Sequence, residues 1–254
     1  MALRGDTDVR VAEPDRVMAV SAHAADFCIR AGGTLARYAA AGTPVRVLVM
    51  SPGARGESND LWRARGGQIS EAGVAAVRRK EAEQAAAILR TPTAFFDYSD
   101  QPLTFDRDRL MVLVREIRRF RPTIILTHPR FEPYNPDHSA ATLATMEAAY
   151  YATLAGVEPD LPTITPVQVL AYEPTQPMVE TTGFAPDTFV DITDIIEVKM
   201  RAVAEFKTQP YHVERYRARA AARGSQAAYI AGNPEIQFAE AFQRYTPWVG
   251  RTLP

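Results

Sequence analysis

Residues 16–51, RVMAVSAHAADFCIRAGGTLARYAAAGTPVRVLVMS, decide the fold. RVMAVS (16–21) is a short apolar run that reads as a buried strand, and PVRVLVMS (44–51) is a second, rich in valine. Between them GGTLARYAAAG (32–42) places apolar residues at helical spacing and ends on Gly42, a glycine stop. Strand, helix and strand make a βαβ unit, which implies parallel strands and a right-handed crossover.

The alternation continues outward from this unit. EAGVAAVRRKEAEQAAAILR (71–90) reads as a helix, AFFDYS (94–99) as a strand, DRDRLMVLVREIRRFR (106–121) as a helix and PTIILTHP (122–129) as a fourth strand. A helix over 138–156, strands over 167–174 and 188–193 and a helix over 194–209 follow. The tail, 211–247, alternates arginine with alanine and aromatics at a spacing that suits a helix. The pattern predicts an α/β fold, a Rossmann-like, mostly parallel sheet with helices on both faces. Residues 1–15 are expected to be a flexible N-terminal arm, and 16–254 a single domain ending in a helical tail. The polar stretch 52–70 is long for a loop in a compact domain, and such loops usually carry function or are disordered.

Composition excludes several classes of partner. With 29 Lys and Arg against 30 Asp and Glu, the net charge of −1 gives no electrostatic reason to expect nucleic acid or an anionic membrane. The single cysteine, Cys28, allows no internal disulfide and reads as a small buried apolar residue. No run approaches the roughly 20 apolar residues of a membrane span, and the N-terminus lacks the apolar core of a signal peptide. A cytoplasmic protein is expected.

In an open parallel sheet, ligands gather at the carboxyl ends of the strands. His23 and Asp26 lie just past the first strand. THPRFEPYNPDH (127–138) lies just past the fourth and carries His128, Glu132, Asn135, Asp137 and His138. Two histidines and a carboxylate at one sheet edge are the ligand set of a catalytic zinc site. A His-x-x-Asp pair alone is also common as a capped core histidine, so the signal rests on the two clusters together. His212, in the aromatic-rich tail, is not expected to be a ligand.

SAHAADFCIRAGGTLARYAAAGTPVRVLVMSPGARGES, VRRKEAEQAAAIL, RPTIILTHP, NPDHSAA and FVDITDIIEVKMRAVAEFKTQ stand in the order of the PIG-L (LmbE-like) zinc-dependent deacetylase family, which the chain resembles over about residues 17–209. The resemblance implies one Zn2+ per subunit held by His23, Asp26 and His138, and a homo-oligomer, trimer or hexamer. In that family an aspartate acting as general base stands where this chain has Ala25, and the family's glutamate two places on is Phe27. The family often has a histidine at the position of Asn135. SAHAADF, RGES and YNPDH together resemble the family's 4-oxalomesaconate hydratase branch, which implies hydration of a carbon–carbon double bond in a polycarboxylate. An N-deacetylase with its base drawn from elsewhere, or a metal-pocket binder without catalysis, are the alternatives.

A polyanionic substrate would give the basic positions a purpose. Arg55, Arg30, Arg63, Arg65 and Arg78 are candidate carboxylate clamps, because guanidinium meets carboxylate bidentately, and Asn135 is a further substrate-binding candidate. Glu81, three residues beyond Arg78, is expected to form a structural ion pair with it. For proton handling Glu57 comes first, on the loop past the second strand. Asp137 follows, with orientation of a ligand histidine as its other reading, and His128 is third.

Overall fold

The computed structural model describes residues 15–64, 68–175 and 183–247. Seven strands form one sheet in the order β3-β2-β1-β4-β5-β7-β6. β1 (Val17–Ser21), β2 (Val45–Val49), β3 (Thr93–Phe95), β4 (Ile124–Thr127) and β5 (Gln168–Tyr172) run parallel. β7 (Ala239–Arg244) pairs antiparallel with both β5 and β6 (Thr188–Asp191).

Helices cover both faces, so β1 is buried along its whole length and reads as a continuous apolar run. Its side chains still divide by the two-residue period of a strand. Val17 and Ala19 join the core under α1 (Asp26–Ala40), α3 (Glu71–Leu89), α6 (Ile196–Val203) and α7 (His212–Ala231). Met18 and Val20 join the core under α4 (Arg107–Phe120) and α5 (Pro136–Tyr151). A short α2 (Asn59–Ala64) interrupts the long polar loop. Among the described residues no helix is long and apolar enough to cross a membrane.

The strand expected over 94–99 is only Thr93–Phe95 and the helix expected over 138–156 is Pro136–Tyr151, and three boundaries depart further. The first helix begins at Asp26, six residues before the glycine pair. Asp26–Ala36 are all buried, Arg30 included, so no polar stripe marks its first turns. Gly33 sits inside it because a Cβ there would lie 2.8 Å from Ile192. The helix expected over 194–209 stops at Val203, and 204–209 runs irregularly into Pro210, which disfavours helical geometry in the residue before it. The tail is not helical throughout, since 239–244 is β7, an interior strand. Glu240 within it is buried, paired with Lys199 at 2.7 Å and accepting from the Gly33 and Thr34 N–H groups. The N-terminal arm over 1–14 and Arg65 lie outside the described residues.

The order places β1 beside β4, where the direction of strand addition reverses. A crevice forms outside the carboxyl ends of strands at such a point. The loops after β1 and β4 border it, and the loop after β2 lies alongside.

Candidate metal centre and its surroundings

His23 leaves β1 and Asp26 opens α1, and the His23 N–H donates to Asp26 Oδ2 at 2.7 Å, closing the turn between them. His138 stands in the first turn of α5, which Pro136 starts without loss of a helical hydrogen bond. Ligand atoms of the three side chains lie within 4.8 Å of one another, all buried. His23 Nδ1 is 3.6 Å from Asp26 Oδ2, and His138 Nε2 is 3.5 Å from Asp26 Oδ1. Both nitrogens are buried with no hydrogen-bond partner among the described residues. Two orphaned imidazole nitrogens facing one carboxylate fit a divalent cation of the zinc type, which accepts nitrogen and oxygen donors at tetrahedral spacing.

The far side of each ring is held by a carboxylate. His23 Nε2 meets Asp137 Oδ2 at 3.1 Å, and His138 Nδ1 meets Glu132 Oε2 at 2.9 Å. These contacts leave Nδ1 of His23 and Nε2 of His138 as the lone-pair atoms, the usual device for aiming a metal-ligating histidine. Asp137 is fixed in turn by the Gln101 and Leu103 N–H groups at 2.9 and 2.8 Å, and Glu132 by the Thr175 N–H at 2.6 Å.

Charge follows this geometry. Burial works against ionising Asp26, yet His138, His128 and Arg30 hold its carboxyl well below the usual range. Burial would also lower His23, but the Asp137 hydrogen bond and the charges of Glu57 and Asp26 lift it to about 9. His128 moves the other way, to about 3, through burial and the neighbouring His138. It stays neutral, accepts the Ala22 N–H at 3.0 Å and stacks on His138 with centroids 3.9 Å apart.

Position 25 holds a buried alanine, and no titratable group stands there. A carboxylate arrives instead from the loop after β2. Glu57 Oε1 is 3.6 Å from His23 Nδ1 and accepts from Asn135 Nδ2 at 3.1 Å, while Oε2 accepts from Gln209 Nε2 at 3.1 Å. Burial opposes its ionisation, but His23, His138 and Arg78 hold it below the ordinary glutamate value. Gly53, at φ +72°, lets the loop turn back, and a Cβ there would meet Glu57 Cγ at 2.9 Å. A cleft of about 220 Å³ bordered by Gly56, Glu57, Arg63, Gln209 and Tyr211 lies beside this carboxylate.

The arginines separate into three situations. Arg30 is buried, with all three nitrogens on protein acceptors: Asp26 Oδ1, the Glu173 carbonyl and Thr175 Oγ1. It braces the metal carboxylate and the end of β5. Arg55 and Arg63 have exposed side chains, Arg63 beside Asp60 at 3.5 Å. Arg78 is fully buried and donates to the Pro52 carbonyl, Thr208 Oγ1 and Gln209 Oε1, with Glu81 at 3.7 Å. Its Nη2 has no partner. Gln209 and Thr175 escaped the sequence reading; Arg219, from the arginine-rich tail, donates to the Pro174 and Thr175 carbonyls. Each reaches the crevice by tertiary packing from beyond the two strand-end clusters.

A mostly parallel α/β sheet with a buried His–Asp–His donor set at its switch point makes an α/β protein with a candidate metal site in the strand-end crevice. The chain belongs to the PIG-L family, described as GlcNAc-PI de-N-acetylase, whose family model matches residues 18–149. It is 39% identical over 239 residues to the 4-oxalmesaconate hydratase of Pseudomonas putida KT2440, covering 93% of this chain and 91% of that protein. The crystal structure of GalB, the 4-carboxy-2-hydroxymuconate hydratase of the same organism, matches with a TM-score of 0.89 at 38% identity, over 94% of this chain and all of that one. The diacetylchitobiose deacetylase of Thermococcus kodakarensis is 29% identical over 224 residues, 82% of this chain and 76% of that protein.

Proposed function

We propose that the chain is a metal-dependent hydratase that adds water to the C=C bond of 4-oxalomesaconate, giving 4-carboxy-4-hydroxy-2-oxoadipate. One observation carries the reading. The donor set is complete while position 25 is a buried alanine, and the carboxylate beside the donors comes from Glu57 on another loop. The similarity to the two P. putida hydratases over nearly the whole chain supports it.

His23, Asp26 and His138 would hold the cation, with zinc, one per subunit, the expected ion. Bound there, it would polarise substrate oxygens and lower the cost of building negative charge on them. Glu57 takes a proton from the attacking water as the water oxygen bonds to the alkene carbon β to the carbonyl. The π electrons move toward the carbonyl, and the proton then passes from Glu57 to the α-carbon, so one water is consumed and no group leaves. The N-termini of α1 and α5 both open at the crevice, and their partial positive charge favours a polyanion. Arg63, which borders the cleft beside Glu57, is the guanidinium best placed for a substrate carboxylate, with Arg55 exposed near it and the buried Nη2 of Arg78 behind it. Asn135 holds Glu57 and offers its own buried, unpaired oxygen to the substrate.

The test follows the ultraviolet absorbance of the carboxylate-conjugated C=C of 4-oxalomesaconate on adding protein. Turnover should bleach it, and Glu57→Gln should lower kcat by about 10²–10⁴-fold, the range of a positioned acid–base group. No bleaching by metal-loaded protein, with acetate released from N-acetyl sugars instead, would replace the hydratase with a deacetylase.

A further inference from the structure

Glu57 is gripped by two side-chain amides, and only one of them comes from within the matched family region. Asn135 lies inside residues 18–149, whereas Gln209 lies far beyond, on the irregular segment after α6. Gln209 is buried, and its amide stands between Arg78 and Glu57 without Arg78 touching the carboxylate's hydrogen-bonding atoms.

The direction of that amide is settled by chemistry. A guanidinium can only donate, so the Gln209 atom 2.6 Å from Arg78 Nη1 must be the carbonyl oxygen. The NH2 group then faces Glu57 Oε2 at 3.1 Å, with Tyr211 Oη at 3.2 Å as its second acceptor. Arg78 is itself fixed by the Pro52 carbonyl and Thr208 Oγ1. The Thr208 hydroxyl donates to Glu81 Oε2 at 2.7 Å, and the Thr208 N–H donates to Glu81 Oε1 at 2.9 Å. Donors and acceptors therefore agree at every link from Glu81 through Thr208, Arg78 and Gln209 to Glu57.

We infer that Gln209 is a positioning residue for catalysis, whose NH2 group holds the Glu57 carboxylate in its aim at the His23–Asp26–His138 cluster. The inference rests on the reading of Glu57 as the proton-handling group. With Asn135 alone, Glu57 keeps one tether on Oε1 and can turn about its long side chain. A misplacement of about 1 Å in a reacting group can cost about 10²-fold in rate. Gln209 does not touch the metal donors, so metal content should be spared, and a variant that keeps the acceptor for Arg78 leaves the guanidinium held.

The decisive variant is Gln209→Glu. It keeps length and shape and can still accept from Arg78, but it offers Glu57 an oxygen where a donor stood. Gln209→Met keeps volume but removes both the donor to Glu57 and the acceptor of Arg78 Nη1. Assayed as metal-loaded full-length protein on 4-oxalomesaconate, both should lose at least about 10-fold in kcat. KM should stay within about threefold in Gln209→Glu, with unchanged metal content in both variants. Placed on Glu57→Gln, Gln209→Met should cost little more, because the group it positions is already gone. Wild-type kcat in both Gln209 variants, a rise in KM with kcat intact, or full additivity with Glu57→Gln would each overturn the inference. Should Gln209→Met fail to fold, Gln209→Glu and its cycle with Glu57→Gln decide alone. A Glu57→Gln protein turning over at the wild-type rate would instead remove the reading of Glu57, whatever the Gln209 variants do.

Discussion

Asp137→Asn tests how the metal ligands are aimed. The carboxylate takes three N–H groups: Gln101 N and His23 Nε2 on Oδ2, and Leu103 N on Oδ1. An asparagine has one acceptor oxygen. Placed at the Oδ2 site, that oxygen keeps two donors and sets its NH2 against the Leu103 N–H, a buried conflict worth about 1–3 kcal/mol. Turned the other way, two donors are confronted, and the NH2 donates to His23 Nε2, which moves the ring proton to Nδ1 and blocks ligation. The first orientation costs less and keeps the tautomer, but His23 loses its anionic partner. Loss of such a partner typically weakens metal binding about 10–100-fold, or about 1.4–2.7 kcal/mol at 1.36 kcal/mol per decade. Chelator competition should show that drop, and urea unfolding of metal-free protein should show a loss of about 1–3 kcal/mol. With the site saturated, kcat should return close to the parental value. Metal affinity within twofold of wild type would refute the aiming role. A kcat that stayed down about 100-fold under full metal load would make Asp137 a proton-handling group instead.

Metal uptake should release a proton. In cation-free protein His23 is raised from 6.5 to about 9, so its ring is charged at pH 7.5 and must deprotonate to ligate. Calorimetric zinc titrations in two buffers of different protonation enthalpy should give observed heats differing by about one proton's worth; identical heats would refute this. Because the folded value lies above the unfolded one, the same shift stabilises cation-free protein fully below about pH 6.5, and that gain is lost as pH rises through about 9. Urea midpoints of chelated protein should fall over that window, and a flat profile would contradict the shift. Gly224→Ala probes the seat of α7 on the segment entering β7. A Cβ there would lie 2.1 Å from the Gln237 carbonyl oxygen, which is backbone and cannot swing aside. A loss of about 1–3 kcal/mol or more is expected from such overpacking, and an unchanged unfolding midpoint would show that the close approach is not needed.

What the sequence revealed and what it hid follow from the range of the interactions. The βαβ unit and the two strand-end clusters are local: His23 and Asp26 share one turn, and His138 shares a helix start with Pro136 and Asp137. Such features are legible because the pattern that builds the element also presents the side chain. The start of α1 was hidden for the opposite reason, since a helix buried all round carries no stripe. AEAFQR at 239–244 suits helix or strand on composition, and only pairing with β5 and β6 makes it an interior strand. Gln209 closes the last stretch of the family resemblance and Thr175 lies in no motif, and nothing local to either marks its partner. They meet Glu57 and Glu132 across 152 and 43 residues of chain, a juxtaposition that tertiary packing alone creates.

Moving the carboxylate off position 25 changes what the crevice can do. In the family pattern the base stands one residue before the metal-binding aspartate, on the loop after β1. Here that place is occupied by Ala25, packed into the core beneath α1 with Phe27 and Cys28. The carboxylate on the β2 side is tethered by Asn135 from the β4 loop and by Gln209 from beyond α6, so three separate segments must close for it to be aimed. Amide hydrolysis needs a base for water and an acid for a departing amine. Hydration of a conjugated alkene needs only that a proton taken from water be returned to the neighbouring carbon, and no amine departs. A carboxylate from a second loop, held on both oxygens by amides and joined through Gln209 to a guanidinium, meets the second requirement more simply than the first. Under the proposed reading, retention of the donors with a carboxylate supplied from the β2 loop is a coherent change of chemistry on one fold.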